Sequence, residues 1–173
     1  MKLLVVVDMQ TDFVDGALGT PEAVAIVENV VRKVKEEKEA GSDIIFTMDT
    51  HETNYLETME GKNLPVEHCI RGTDGWMLIP QLRPLTDGAR IIEKPTFGST
   101  KLAHAVAAGN YDEIELIGLC TDICVVSNAL ILKASFPEIK ISVDAKCCAG
   151  VTPELHNAAL MTMQSCQIDV INQ

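Results

Sequence analysis

Five apolar residues in a row, Leu3 to Val7, lie near the start of the chain and run straight into Asp8. An unbroken run of that kind fits a strand buried on both faces, because a strand with one wet face would alternate. Asp43 to Met48, Arg90 to Glu93, Glu113 to Gly118, Lys140 to Val143 and Ile168 to Ile171 read as further short strands. Pro21 to Ala40 has helical periodicity, with Val24, Val27, Val31 and Val34 as its apolar positions and Gly41 closing it. Helices are also expected over Ser99 to Ala108, Cys124 to Ser135 and Pro153 to Ser165, the last with Thr152 as cap and Pro153 in its first turn.

Short apolar strands alternating with helices imply parallel pairing through right-handed crossovers. The predicted fold class is therefore α/β, a three-layer α/β/α sandwich with a mostly parallel sheet of roughly six strands. Ligands in such sheets bind beyond the carboxyl ends of the strands. Asp8, Asp49, Lys94 and the segment before Cys124 all follow strands directly, so the fold brings them to one rim. Thr50 to Gly88 breaks the alternation with Pro65, Pro80 and Pro84, and stretches that long in compact domains are usually functional.

A chain of 173 residues with 47% hydrophobic content suits a single domain over residues 1–173. The net charge of −11, with no Lys/Arg cluster, argues against nucleic acid and anionic membrane surfaces as partners. Lys33, Lys35 and Lys38 interleave with Glu36, Glu37 and Glu39 as a solvated helix face. The six cysteines are irregularly spaced and do not read as a disulfide framework. The apolar start is too short for a signal core or a membrane span, so a reducing, cytoplasmic setting is expected. Sheets of this kind commonly associate through their rims, and a homo-oligomer is expected.

Cys124 falls where an apolar strand gives way to a helix. A thiol at a helix start gains from the partial positive charge there, which lowers its pKa and favours the thiolate. A cysteine nucleophile also needs a proton acceptor and a cation, and Asp8 and Lys94 are of the right types. The plainer alternatives are a small buried Cys124, an Asp8 that caps a turn and a Lys94 that pairs with a surface acid. A second constellation lies in the long segment, where Asp49, His51 and His68 offer one carboxylate and two imidazoles, ligand types suited to zinc, iron or manganese. Cys147 and Cys148 read as two packing residues or one exposed thiol, since adjacent cysteines rarely bridge comfortably.

Three segments carry a resemblance: Asp8-Met-Gln-Thr-Asp-Phe13, Lys94-Pro-Thr-Phe-Gly-Ser99 and Gly118-Leu-Cys-Thr-Asp-Ile-Cys124. In that order, each at a strand end, they resemble the signature segments of the isochorismatase-like cysteine hydrolases, a superfamily that includes nicotinamidases. The resemblance implies a catalytic set of Asp8, Lys94 and Cys124, with Cys124 as nucleophile. It also implies a non-proline cis peptide between Leu119 and Cys120, and an oxyanion hole formed by the backbone N–H groups of Cys120 and Cys124. The Asp49-Thr-His51 and His68-Cys-Ile-Arg-Gly-Thr73 segments resemble the metal-binding stretch of nicotinamidases, which implies a divalent metal, zinc first, on Asp49, His51 and His68. Some members add a ligand between the histidines, and Glu57 and Glu60 both qualify.

The implied reaction is hydrolysis of a small carboxamide, nicotinamide foremost, through a thioester. Other amidases of the superfamily, acting on carbamoyl or ring-derived amides, are the alternative, as is a non-catalytic thiol- or metal-binding α/β module. The chain departs from the nicotinamidase pattern at Asn63 to His68, which lacks the tryptophan many members carry, and at Ile123, where some have histidine. Phe13 and Phe97 are the expected aromatic lining of the substrate pocket, with Trp76 near in sequence. His104 and His156, within predicted helices, are expected on the surface or in packing.

Overall fold

A computed structural model describes all 173 residues, Met1–Gln173. The strands are β1 (Lys2–Val7), β2 (Asp43–Asp49), β3 (Arg90–Lys94), β4 (Glu113–Leu119), β5 (Lys140–Ala149) and β6 (Asp169–Ile171), and they form one sheet in the order β3-β2-β1-β4-β5-β6. Every pairing is parallel. The apolar run of β1 is explained by its central place. Leu3, Val5 and Val7 enter one core cluster and Leu4 and Val6 the other, all fully buried. β2 and β4 flank β1 on opposite sides, so the order of strands reverses there and opens a crevice at their carboxyl ends.

The helices are α1 (Thr11–Val14), α2 (Pro21–Glu39), α3 (Met59–Asn63), α4 (Thr100–Ala107), α5 (Val126–Ser135) and α6 (Pro153–Ser165). One face of the sheet is covered by α4, α5 and α6, through Leu102, Leu132 and Leu160 among others. The opposite face is shared between α2 and the long stretch after β2, which contributes Cys69, Leu78, Ile79 and Leu82 to the core. That stretch is thus part of a layer, with α3 and two short 3₁₀ turns, Tyr55–Glu57 and Arg83–Leu85, inside it. No helix is long and apolar enough to cross a membrane.

Three expectations need correction. In α2 the buried residues are Ala23, Ile26, Val30 and Val34, whereas Val24 is exposed. The helix carries two adjacent apolar stripes, and the sheet takes the one with the smaller Ala23 at its start. β5 continues to Ala149, past the expected end at Val143, because the polar residues Asp144 and Lys146 interrupt the apolar run while the backbone resumes pairing at Gly118–Cys148 after a register shift. Adjacent residues of a strand point to opposite faces, which sends Cys147 and Cys148 into different core clusters, both buried. Finally, α5 starts at Val126, after a π-type turn over Thr121–Val125 that holds Cys124.

Gly118 sits where β4 comes closest to β1. Its φ of +115° lies outside the range that side chains favour, and a Cβ there would stand 2.1 Å from the Val7 carbonyl oxygen. Gly118→Ala is therefore expected to destabilise the protein by at least about 3 kcal/mol in urea unfolding, from strain plus backbone displacement. A midpoint within error of wild type would disprove this account of the β1–β4 crevice.

Candidate active site and metal centre

The ends of four adjacent strands supply the site. Asp8 leaves β1 with φ +48°, a left-handed conformation rare outside glycine and tolerated best by Asp and Asn. Its backbone N–H donates to the Thr47 carbonyl at 3.2 Å, and the Thr47 hydroxyl donates to Asp8 Oδ1 at 2.6 Å. The carboxylate is thereby turned inward, fully buried. Lys94, the last residue of β3 and 1% exposed, reaches across β2 to meet it.

The Lys94 ammonium lies 2.6 Å from Asp8 Oδ2, 3.5 Å from Asp49 Oδ1 and 3.5 Å from Cys124 Sγ, and it donates to the Thr96 carbonyl at 3.0 Å. At 2.6 Å the approach to Asp8 Oδ2 is a close, buried contact between the ammonium and the carboxylate. Cys124 is 4% exposed. Three of the residues singled out from the sequence, Asp8, Lys94 and Cys124, thus meet around one ammonium.

The expectation of a lowered thiol pKa is overturned. Burial holds the Cys124 thiol well above its ordinary value; the Asp8 charge adds to that, and Lys94 opposes it. Cys124 also sits within the π turn and ahead of α5, so the favourable start of a regular helix is not what surrounds it. Burial likewise raises the Asp8 carboxyl, with the Lys94 charge opposing and the Asp49 charge adding. Lys94 would lose its proton more easily from burial alone, but Asp8, Cys124 and Asp49 raise its pKa and keep it an ammonium.

Leu119 and Cys120 are joined by a cis peptide bond, at the expected position. The Cys120 N–H donates to no acceptor within the protein. The Cys120 thiol is pushed up to about 12 by burial. Asn128, fully buried on α5, donates to the carbonyls of Cys124 at 2.8 Å and Phe97 at 3.2 Å, and its Oδ1 accepts from the Ser99 N–H at 2.9 Å. It fastens the turn bearing Cys124 to the loop that follows Lys94. Its only signal in the sequence is a polar residue four places after Cys124, just ahead of the apolar run Ala129 to Leu132.

A second cluster adjoins the first. Nitrogen and oxygen atoms of Asp49, His51, Glu60 and His68 all lie within 4.8 Å of one another. His51 Nε2 is 2.9 Å from Asp49 Oδ2 and 3.5 Å from Glu60 Oε1, and His68 Nε2 is 3.6 Å from each of the same oxygens. Metal–ligand bonds of about 2.0 to 2.2 Å put neighbouring donor atoms ~3 to 3.5 Å apart, so the group fits one ion. His68 Nδ1 lies 2.8 Å from the Val66 carbonyl, which fixes the proton on Nδ1 and turns a bare Nε2 to the cluster. Burial would raise the Asp49 carboxyl, but the adjacent His51 and His68 rings and the Lys94 charge hold it well below the carboxylate range.

Of the two glutamates left open by the sequence, Glu60 on α3 joins the cluster and Glu57 is exposed. Tyr55, fully buried, packs 4.7 Å from the His51 ring and 5.0 Å from the His68 ring and donates its hydroxyl to the Leu64 carbonyl at 2.9 Å. Sequence reasoning missed it. Gln10 was also missed: its Nε2 donates to the Asp49 and Trp76 carbonyls, both at 2.8 Å, and its Oε1 accepts from the Asp49 N–H at 2.7 Å. Asp12 accepts from the Cys69 N–H at 2.8 Å. These two residues of the first signature segment anchor the metal-site stretch to β1.

The aromatic residues divide. Phe13, 9% exposed, packs 5.5 Å from the His68 ring, whereas Phe97 is 43% exposed on the turn after Lys94. Trp76 gives its indole N–H to the Thr50 hydroxyl at 2.9 Å and faces a groove of about 900 Å³ beside β3, away from the buried cluster. His104 is exposed, and His156 is half-buried against Thr121.

The model of the isochorismatase domain matches residues 2–173. A probable inactive nicotinamidase of Arabidopsis thaliana is 28% identical, over 94% of this chain and 87% of that protein. Among solved structures, the nicotinamidase/pyrazinamidase of Bacillus subtilis superposes with a TM-score of 0.88 at 28% identity, covering 99% of both chains. The pyrazinamidase of Pyrococcus horikoshii, solved in complex with zinc, gives 0.87 at 28% identity, again over 99% of both chains. With the parallel sheet and the crevice at the ends of β1 and β4, these likenesses settle the family: the chain belongs to the isochorismatase family and is an amidohydrolase.

Proposed function

We propose that the protein hydrolyses a small carboxamide, nicotinamide foremost, to the carboxylate and ammonia, with Cys124 as nucleophile, Asp8 as proton carrier and Lys94 as the charge that steadies both. The observation that carries this reading is the placement of the Lys94 ammonium 2.6 Å from Asp8 and 3.5 Å from Cys124 Sγ, with all three side chains buried. The nicotinamidases and pyrazinamidases among its relatives support the choice of amide.

In the first half-reaction Asp8 Oδ2 takes the thiol proton as Cys124 Sγ bonds to the amide carbon. Because burial keeps the resting thiol protonated, that transfer belongs to the attack itself. A buried carboxyl with a raised pKa is a stronger base than a surface one and suits the task. The carbonyl oxygen becomes an oxyanion, and the backbone N–H groups of Cys120 and Cys124 would receive it. Protonated Asp8 then gives its proton to the departing nitrogen, which leaves as ammonia, and a thioester remains. In the second half-reaction water attacks the thioester carbon, Asp8 accepts its proton and returns it to the Cys124 thiolate as the C–S bond breaks. Phe13 would form one apolar wall of the pocket.

Asp49, His51, His68 and Glu60 would hold a divalent ion, for which zinc suits the mixed nitrogen and oxygen donors, with iron and manganese as the alternatives. When bound, such an ion supplies a fixed positive charge and Lewis acidity at the edge of the pocket.

With nicotinamide as substrate and ammonia as readout, Cys124→Ala is expected to abolish turnover while keeping the wild-type unfolding midpoint. Asp8→Asn is expected to lower kcat by about 10²- to 10⁴-fold. A folded Cys124→Ala protein that still releases ammonia would remove the nucleophile. Faster turnover of a carbamoylated amide than of nicotinamide would move the substrate to that class.

Metal analysis after reconstitution with zinc is expected to find one ion per chain. His68→Ala and Glu60→Ala should each weaken binding by an order of magnitude or more, about 10- to 100-fold, whereas Glu57→Ala leaves it unchanged. Equal affinities across the three variants would break the assignment.

A further inference from the structure

His156 is the one histidine outside the metal cluster that touches the candidate active site. It lies in the first turns of α6, and its Nδ1 is 2.7 Å from the hydroxyl of Thr121, a fully buried residue. Thr121 directly follows Cys120 and opens the π turn that ends at Val125. The next residue is held from the same side, since Asp122 Oδ1 accepts from the Val151 N–H at 3.0 Å. Between these contacts Gly150 leaves no room to spare, because a Cβ there would stand 2.7 Å from the His156 backbone nitrogen and 2.9 Å from Asp122 Oδ1. The loop joining β5 to α6 is therefore packed against the Cys120–Cys124 turn.

The turn needs such a support. Its front faces the pocket, where the Cys120 N–H has no acceptor within the protein. Asn128 secures the far end, at the Cys124 carbonyl. At the near end, backbone bonds hold only the carbonyl groups, that of Cys120 accepting from the Ile123 and Val125 N–H groups and that of Thr121 from the Val126 N–H. Side chains add a second hold from outside the turn, through the buried Thr121 hydroxyl and the half-buried His156.

We propose that His156 is a positioning residue for the nucleophile turn: acting through the Thr121 hydroxyl, it fixes the backbone of Cys120 to Cys124, and with it the N–H groups that receive the oxyanion. This rests on the hydrolase reading above. The imidazole does not touch substrate. It sets where the donors stand, and misplacement of reacting groups by even an ångström is costly to the transition state while leaving ground-state binding nearly untouched. Burial lowers the pKa of His156, against the pull of Asp122, and a neutral ring suits a hydrogen bond to a hydroxyl.

The test pairs steady-state kinetics on nicotinamide with a probe that needs no turnover. Pyridine-3-carboxaldehyde adds to a cysteine thiol as a tetrahedral thiohemiacetal, whose oxygen occupies the place of the oxyanion. His156→Ala is expected to lower kcat by about 10- to 100-fold with KM changed less than about threefold, and to weaken aldehyde binding by a similar factor. His156→Asn, whose side-chain amide can stand in for Nδ1, is expected to recover most of the loss. Thr121→Val should match His156→Ala, and the double variant should be no worse than either single one, because both remove the same hydrogen bond. A folded His156→Ala protein with wild-type kcat, a loss confined to KM, or losses that multiply in the double variant would overturn the proposal. Failure of the hydrolase reading looks different: Cys124→Ala would retain turnover, or intact-mass analysis of the wild type would find no aldehyde adduct on Cys124.

Discussion

The Lys94 ammonium is the centre on which the rest of the site depends. Two buried carboxylates, Asp8 and Asp49, face it, and neither could remain ionised in so dry a place without a cation between them. The strand order makes a lysine the right residue for this. β3, β2 and β1 are neighbours in the sheet, so Lys94 starts two strand spacings from Asp8, roughly 10 Å. A long, flexible side chain with a compact charge can cross over β2 and still lie beside Asp49 on the way. Removing it would leave two unpaired charges in the crevice, so the contact that carries the proposed catalysis also supports the fold at this rim.

The all-parallel order gives each participant its position. Lys94, Asp49, Asp8 and Cys120 end or follow β3, β2, β1 and β4, which is their spatial sequence across the sheet. That much was legible in the chain, because each residue stands directly after an apolar run and strand ends in such a sheet share one rim. The caps were legible for the same local reason: Thr152 accepts from the Leu155 N–H as its place before Pro153 implied. Features set by distant contacts were not. Nothing local distinguishes Glu60 from Glu57; the difference is that α3 turns Glu60 toward the histidines. The buried face of α2 was misread because two valine-rich stripes compete and only the sheet decides between them.

The thiol is the most instructive case. Its neighbours in sequence suggested a cysteine activated by a helix start, a local effect worth a fraction of the charge interactions around it. Folding brings Asp8 and full burial to the same sulfur, and both favour the neutral thiol. The chemistry survives this reversal. Under the proposed mechanism it moves from a preformed thiolate to a proton transfer coupled to attack, which requires the base to be poised at the sulfur and the ammonium to stay charged throughout. The buried Asp8 carboxyl and Lys94, held as an ammonium by its neighbours, suit those two requirements.

Charge balance then links the two clusters. Asp8, Asp49 and Glu60 bring three carboxylates to one buried region, and Lys94 brings a single ammonium. With both imidazoles neutral, as metal ligation requires, the sum is −2. Burial raises the carboxyls of both Asp8 and Glu60, and in each the charge of Asp49 pushes the same way, as expected where negative charge is in excess. A divalent cation between Asp49, Glu60 and the histidines would cancel that excess. Its effect would reach the nucleophile through Asp49, which touches the metal cluster with one oxygen and Lys94 with the other. Metal binding and the proton affinity of Asp8 would in this way be coupled through one buried aspartate, with Lys94 set between the two carboxylates.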